Sequence, residues 1–174
     1  MLRASLLLLS VLLTHVTKAQ NLALNQLIKL YKQDFNTSSG YFTDNNWQLV
    51  ESSKDQGSTD GEFAGYSADW EKNTSTEHAK CSISYKHLKS INEDYKIVSY
   101  LFTSKENFTQ IRKGVEAMGY KADQPVIINN KALSAYTNGT DVFLLGVAAY
   151  TTNETFYIVR VMNYAFYYVK YLRK

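Results

Sequence analysis

The chain has 174 residues, a formal net charge of +3 and one cysteine, Cys81. This length suits one domain with a real hydrophobic core, and a near-neutral chain without basic runs is a poor nucleic-acid binder. A lone thiol excludes an internal disulfide, so the fold has to rely on apolar packing.

Residues 1–19 have the three-part organisation of a secretion signal. Arg3 gives a short basic start, 6–13 are apolar, and small residues precede a cleavage site after Ala19. The apolar stretch is shorter than the roughly twenty residues that cross a bilayer, and no later segment is long enough either. We therefore expect 1–19 to be removed and residues 20–174, with a formal charge of +1, to form a single secreted or periplasmic domain.

Asn-x-Ser/Thr sequons occur at Asn36, Asn73, Asn107, Asn138 and Asn153. Eukaryotic export would make them candidates for surface glycans. A chain rich in asparagine, serine and threonine also produces such matches by chance. The absence of disulfides and the Ala-Gln cleavage site are more typical of a Gram-negative protein.

Two segments have helical periodicity. Apolar residues on one stripe predict a first helix near 22–34, and the first helical part extends through 36–45. Ser104 is the predicted N-cap of the second helix, whose stripe comprises Phe108, Ile111, Val115 and Met118 and which ends at a C′ glycine, Gly119.

Most of the remaining chain is typical of β-strands. In 79–88 apolar and polar residues alternate, which predicts one face on the core and one in water. Asn138-Gly139 is the strongest hairpin signal. The predicted strands are 47–52, 62–70, 79–88, 95–103, 126–129, 132–137, 141–151 and 155–163. The fold class is therefore α+β, with a mainly antiparallel sheet and two helical segments.

The order of elements repeats along the chain. A shift of about 73 residues aligns Phe42 with Val115 and Trp47 with Tyr120, and it places 81–85 over 154–158. We interpret this as a tandem duplication of one helix plus four strands, with halves 20–103 and 104–174, against the alternative of coincidence.

His78, Cys81 and His87 are candidate zinc ligands or a Cys–His nucleophile pair. On a strand, His78 points away from the face that Cys81 and His87 share, and residues six apart on a strand are separated by about 20 Å. We therefore expect a buried structural thiol, no metal and no cofactor.

Two further motifs match functional sites only in part. Residues 65–69, Gly-Tyr-Ser-Ala-Asp, are similar to a serine nucleophile elbow, but they lie in a predicted strand and the elbow needs a strand-to-helix turn. Asp55, Asp60 and Glu62 could bind calcium, but their spacing is not that of an EF-hand and their composition is typical of a hairpin loop. No catalytic residue is assigned.

The informative anomaly is an excess of apolar and aromatic residues, which include fourteen tyrosines. Residues 142–150 show no alternation, and 156–162 are broken only by Arg160. An antiparallel strand with one face in water should alternate, so these strands are expected to be covered on both faces. The cover is the other half of the duplication, the tail 164–172, or a partner.

Several segments resemble small exported proteins of unassigned function from Gram-negative bacteria; these segments are 46–52, 100–104, the Phe108-x-x-Ile111-x-x-Gly114 pattern and 118–121. The tandem plan is also similar, in architecture, to the β-lactamase inhibitory proteins, whose paired sheets clasp a protein through aromatic side chains. Their disulfides are absent here. The resemblance implies a protein-binding role.

The leading hypothesis is a non-enzymatic binding module, with a protein or peptide partner held on an aromatic-lined sheet face. The proposed residues are Tyr66, Trp70, Tyr100, Tyr136, Tyr150 and Tyr157. A carrier of a small apolar or sugar ligand is the second hypothesis. The third is a hydrolase that uses dispersed carboxylates such as Asp69 and Glu62.

Overall fold

The computed structural model describes residues 21–55, 63–73, 78–88, 92–150 and 154–173, without side chains at 55, 63, 64, 88 and 148–150. Several predictions lie outside these residues: the signal peptide 1–19, the sequon at Asn153, and the loop acids Asp60 and Glu62.

Eight antiparallel strands form one sheet in the order β1-β2-β3-β4-β8-β7-β6-β5. The elements are α1 (Leu24–Lys32), α2 (Phe35–Asp44), β1 (Gln48–Asp55), β2 (Phe63–Asn73), β3 (His78–Leu88), β4 (Glu93–Phe102), α3 (Lys105–Ala117), β5 (Lys121–Ile128), β6 (Lys131–Thr137), β7 (Asp141–Tyr150), β8 (Glu154–Asn163) and α4 (Tyr164–Tyr167), which continues as a π-helical turn (Tyr168–Leu172). The predicted α+β class and mainly antiparallel sheet are confirmed. None of the helices in the described part of the chain is long and apolar enough to span a membrane.

Local capping signals set the helix boundaries. The Ser104 side chain accepts a hydrogen bond from the Asn107 backbone N–H at 3.2 Å, and Gly119 has a left-handed φ of 84°, so both predicted ends of α3 are confirmed. The helix predicted near 22–34 and the helical part predicted at 36–45 are confirmed as α1 and α2. The chain breaks at Gln33, because Asp34 starts α2 as an N-cap that accepts from the Thr37 N–H at 2.9 Å.

The end of α2 and the end of α3 have the same geometry. Trp47 N–H donates to the Phe42 carbonyl at 2.9 Å, and Tyr120 N–H donates to the Val115 carbonyl at 3.4 Å. In each pair the two side chains are buried, and the residue between helix and strand has a positive φ, at Asn46 and at Gly119. The shift of 73 residues therefore aligns equivalent positions in the helices and the first strands.

The same shift does not hold for the later strands. Seven residues separate β1 from β2 but only two separate β5 from β6, so the second unit is shorter. As a result β3 corresponds to β7 and β4 to β8, and the alignment of 81–85 with 154–158 is wrong. The two units meet where β4 pairs with β8, their fourth strands.

Two tight hairpins define the second unit. Asn129 and Asn130, between β5 and β6, both have positive φ, which is the signature of a type I′ turn. The predicted hairpin at Asn138-Gly139 is confirmed: it connects β6 and β7, and Gly139 has a φ of 88°. The fifth strand is longer than the predicted 126–129, because β5 continues through an irregularity between Asp123 and Val126.

Hydrophobic clusters cover both faces of the second unit. On the helix face, Phe143, Leu145 and Val159 pack with residues of α1, α2 and α3. On the outer face, Val142 and Leu144 pack with tail residues that include Phe166 and Tyr167. The prediction that these strands lack a solvent face is confirmed for 142–146, where the tail 164–172 provides the outer cover, whereas Val147 is 52% exposed.

The first unit has a helix face and a polar outer face. Cys81 and Ile83 of β3 are buried, while Lys80, Ser82 and Ser84 point outward, as the alternation predicts. On the helix face, the Lys96 ammonium donates hydrogen bonds to the carbonyls of Leu30 and Gln33 at the end of α1. This lysine therefore connects the first helix to β4.

Candidate functional site

Three of the six aromatic residues proposed for binding lie in the core and not on an open face. Trp70, Tyr100 and Tyr157 are buried core residues, because the helices lie over the side of the sheet that they occupy. Phe42 of α2 stacks on Trp70 with 4.4 Å between ring centroids, and Phe108 of α3 stacks on Tyr157 at 4.8 Å. The predicted aromatic docking face is therefore part of the hydrophobic core.

The Tyr100 hydroxyl also forms hydrogen bonds with the chain that precedes α1. This group accepts a hydrogen bond from the Leu22 backbone N–H at 3.1 Å and donates one to the Asn21 side chain at 3.0 Å. Both residues lie just before α1. Tyr100 thus fixes the start of the described chain against the middle of the sheet.

The other three predicted residues are dispersed. Tyr66 is 37% exposed and stacks on Tyr85 at 4.9 Å. Tyr136 is half-buried, and burial together with the nearby Glu116 raises its pKa. The side chain of Tyr150 is outside the described set. Because β2 and β6 are five strand steps apart, Tyr66 and Tyr136 are separated by about 24 Å, so they do not share a site.

Asp69, one of the acids considered for hydrolysis, lies beside a lysine. Asp69 lies on the outer face and contacts the Lys80 ammonium at 2.7 Å, and its hydrogen bond raises the pKa of Lys80. Glu71 lies 3.9 Å from the same ammonium. Asp69 is therefore engaged in an ion pair, and its suggested partner Glu62 is not described.

His78, Cys81 and His87 lie at different positions along β3 and have different surroundings. Cys81 is fully buried, and burial raises the pKa of its thiol. His87 contacts Asp94 at 2.8 Å, while His78 at the other end of β3 lies 3.8 Å from Glu154. No group of three or more metal-ligating side chains occurs within the described ranges. Residues 65–69 lie within β2, as predicted, and not in a nucleophile elbow.

An apolar groove lies between α1 and α3, and we call it the α1–α3 groove. It has a volume of about 510 Å³ and is lined by Ala23, Leu24, Asn25, Ile28, Asn107, Gln110, Ile111 and Met118. The α3 residues recur at helical spacing, so that one stripe of the helix faces the groove. Its floor is buried at Ile111, while Met118 at one end is 53% exposed.

Gly114 sets the distance between the two helices. A Cβ atom at this position would lie 2.6 Å from a methyl group of Leu24, which is closer than two non-bonded carbon atoms approach each other. The missing side chain allows α1 to pack directly on the backbone of α3. Leu24 also lines the groove, so this contact lies at its edge.

The lining of the groove has amides at its rim and no charged side chain. The Asn107 amide N–H donates to the Leu22 carbonyl at 3.2 Å, and that of Gln110 donates to Glu106 at 3.1 Å. The Asn25 side-chain oxygen accepts from the Gln26 backbone N–H at 2.9 Å. The opposite end of each amide has no partner among the described residues, so it can bond to an occupant.

Comparison with protein-family models, curated proteins and solved structures finds no match to this chain. The inference of function therefore rests on the geometry of the chain itself.

Four residues of the groove, Leu24, Ile28, Ile111 and Met118, belong to the predicted helical stripes, but the sequence did not predict a groove between them. An apolar stripe such as that of α3 normally packs on the core. The structure buries Ile111 and Val115 and leaves Met118 exposed. The available signal is Gly114 within this stripe, since a helix-interior glycine with no capping role indicates close packing.

Proposed function

We propose that the chain is exported and acts as a non-enzymatic binding module that holds an apolar segment of a peptide or protein in the α1–α3 groove. The observation that carries the proposal is an open, uncharged apolar groove with hydrogen-bonding amides at its rim. Its volume of about 510 Å³ is in the usual range for ligand sites.

The chemistry of the lining favours a peptide. Leu24, Ile28 and Ile111 offer apolar surface to two or three side chains, while Asn25 and Gln110 can exchange hydrogen bonds with backbone amides. A groove without charge favours a neutral segment, because a buried unpaired charge in the ligand would be costly. Met118 has a flexible thioether side chain that can adapt to different partners.

The proposed partner is a peptide or protein, as predicted from the sequence, but the proposed binding site is different. Three of the aromatic residues expected to contact the partner, Trp70, Tyr100 and Tyr157, are in the core, and the groove offers aliphatic side chains between two helices instead. The absence of lysine and arginine from the lining also argues against a nucleic-acid ligand at this groove.

The test is selection of binding peptides from a displayed random library with the mature chain, 20–174, followed by affinity measurement. Met118→Glu places a charge at the mouth of the groove and should weaken selected peptides by about tenfold or more. Ile127→Glu is the matched control, because Ile127 is 76% exposed on β5 and does not line the groove. Its affinity should stay within about twofold of wild type.

Amide chemical shifts add a direct readout of position. Binding should move the signals of Leu24, Ile28 and Gln110 more than those of β5. Selected peptides that bind Met118→Glu and wild type equally would refute the groove as their site. Binding of small apolar compounds with no peptide selected would instead support a carrier and contradict the peptide proposal.

A further inference from the structure

A second hollow lies on the opposite face of the sheet, and we call it the outer pocket. It has a volume of about 180 Å³ and is lined by Leu101, Ile128, Asn129, Lys131, Leu133, Ile158 and Arg160. These residues come from β4, β5, β6, β8 and the turn between β5 and β6. None of them lines the α1–α3 groove, so the two sites are separate.

Strand register explains the apolar floor of the outer pocket. Leu101 pairs with Ile158, Ile158 with Gly146, and Gly146 with Leu133, which places these residues in one row across the sheet. Gly146 contributes no side chain to the row. The Leu133 side chain leans into that space, since a Cβ atom at Gly146 would lie 2.2 Å from its methyl group. A hollow with an aliphatic floor results.

Arg160 places a positively charged guanidinium in the lining of the outer pocket. Its Nε atom is buried and has no hydrogen-bond partner among the described residues. The guanidinium does bond the Tyr171 hydroxyl, and this bond opposes the rise that burial causes in the pKa of Tyr171. No carboxylate in the described chain forms an ion pair with Arg160. A buried guanidinium N–H without an acceptor is costly, so an acceptor at this place would stabilise the site.

The other charged side chain that lines the outer pocket is also a cation. Lys131 is the second cation of the outer pocket, and no acidic side chain lines it. The planar donor fork of arginine matches the two oxygens of a carboxylate. The free space equals about six water molecules at about 30 Å³ each, which is room for a short hydrocarbon body.

We propose that the outer pocket binds a small organic carboxylate, with its anionic group on Arg160 and an apolar body of about six carbons against Leu101, Leu133 and Ile158. The recognised chemistry is one negative charge joined to a short apolar chain. This inference is independent of the α1–α3 groove and of its occupant.

The experiment is titration of the mature chain with hexanoate, followed by isothermal calorimetry and by amide chemical shifts. Hexanoate should bind saturably and shift the amides around Ile158 and Leu133. Hexylamine, which has the same number of carbon atoms and the opposite charge, should not bind. Inorganic phosphate, which lacks the body, should bind at least about tenfold more weakly than hexanoate.

Three variants locate the binding. Arg160→Gln should weaken hexanoate by about tenfold or more, and Ile158→Phe should reduce binding by filling the hollow. Lys131→Gln, at the rim, should weaken it by about twofold to fivefold. Arg112→Gln is the matched control: it makes the same change of charge on an exposed position of α3 and should bind as wild type does.

Thermal unfolding and the dispersion of amide signals establish that each variant is folded before its affinity is compared. If Ile158→Phe does not fold, Arg160→Gln and Lys131→Gln still test the site. Equal affinity of wild type and Arg160→Gln, or equal binding of hexanoate and hexylamine, would overturn the proposal. The absence of saturable binding up to about 20 mM hexanoate would do the same, since this is the weakest affinity expected for a ligand of that size.

Discussion

Removal of one tail side chain should reveal how much the outer cover stabilises the sheet. Phe166 is 4% exposed, and its ring lies 5.4 Å from that of Tyr95. Replacing a buried phenylalanine with alanine typically lowers the free energy of unfolding by about 3–5 kcal/mol, from lost transfer energy and the cavity left behind. Burial of about 150 Å² at about 25 cal/mol per Å² gives a similar figure. We therefore expect Phe166→Ala to cost about 4 kcal/mol.

The assay is urea unfolding followed by circular dichroism, with binding of a dye that fluoresces on exposed apolar surface. Tyr168→Ala is the control from the same tail: Tyr168 is 49% exposed, and its loss should cost less than about 1 kcal/mol. If the tail detaches before the sheet unfolds, Phe166→Ala should bind the dye at urea concentrations where wild type does not. A loss below about 1 kcal/mol without dye binding would show that the tail does not cover the sheet.

Two further predictions concern buried ionisable groups. Cys81 is fully buried, and burial raises the pKa of its thiol. A thiol reagent at about pH 8 should therefore label Cys81 only after unfolding in urea. Rapid and complete labelling of native samples, measured by mass spectrometry, would contradict its burial. Burial lowers the pKa of Lys96 from 10.5 to about 8, so between these values the unfolded chain binds more protons than the folded chain. The free energy of unfolding of wild type, measured in urea from about pH 8 to 9.5, should therefore rise relative to that of Lys96→Met, and a flat or falling difference would refute the shift.

Local signals made much of the fold predictable. Ser104, Gly119 and Asn138-Gly139 each act through one or two nearby backbone groups, so their effect can be recognised from sequence. The break between α1 and α2 falls between the two predicted helical segments, and a single residue, the N-cap Asp34, decides where α2 begins. The turn at Asn129-Asn130 had a usable signal, since asparagine tolerates positive φ well.

The binding residues were less predictable because they depend on long-range docking. Period-two alternation places Trp70 and Tyr100 on one face of the sheet, but it does not say whether helices cover that face. The absence of alternation in 142–145 correctly predicted cover on both faces. Which segments provide it depends on where α3 and the tail pack. The α1–α3 groove likewise depends on long-range packing, since its lining residues come from two helices that are far apart in sequence.

The joining of the two units at their fourth strands leaves the first strand of each unit, β1 and β5, at the outer edges of the sheet. Both edge strands are irregular, between Leu49 and Glu51 and between Asp123 and Val126, and the second irregularity contains Pro125, the one proline of the chain. Proline has no N–H to offer, and a bulge turns the edge away from a straight neighbour. Neither border offers a regular template to a strand from another molecule, so growth into fibres is hindered at both ends of the sheet.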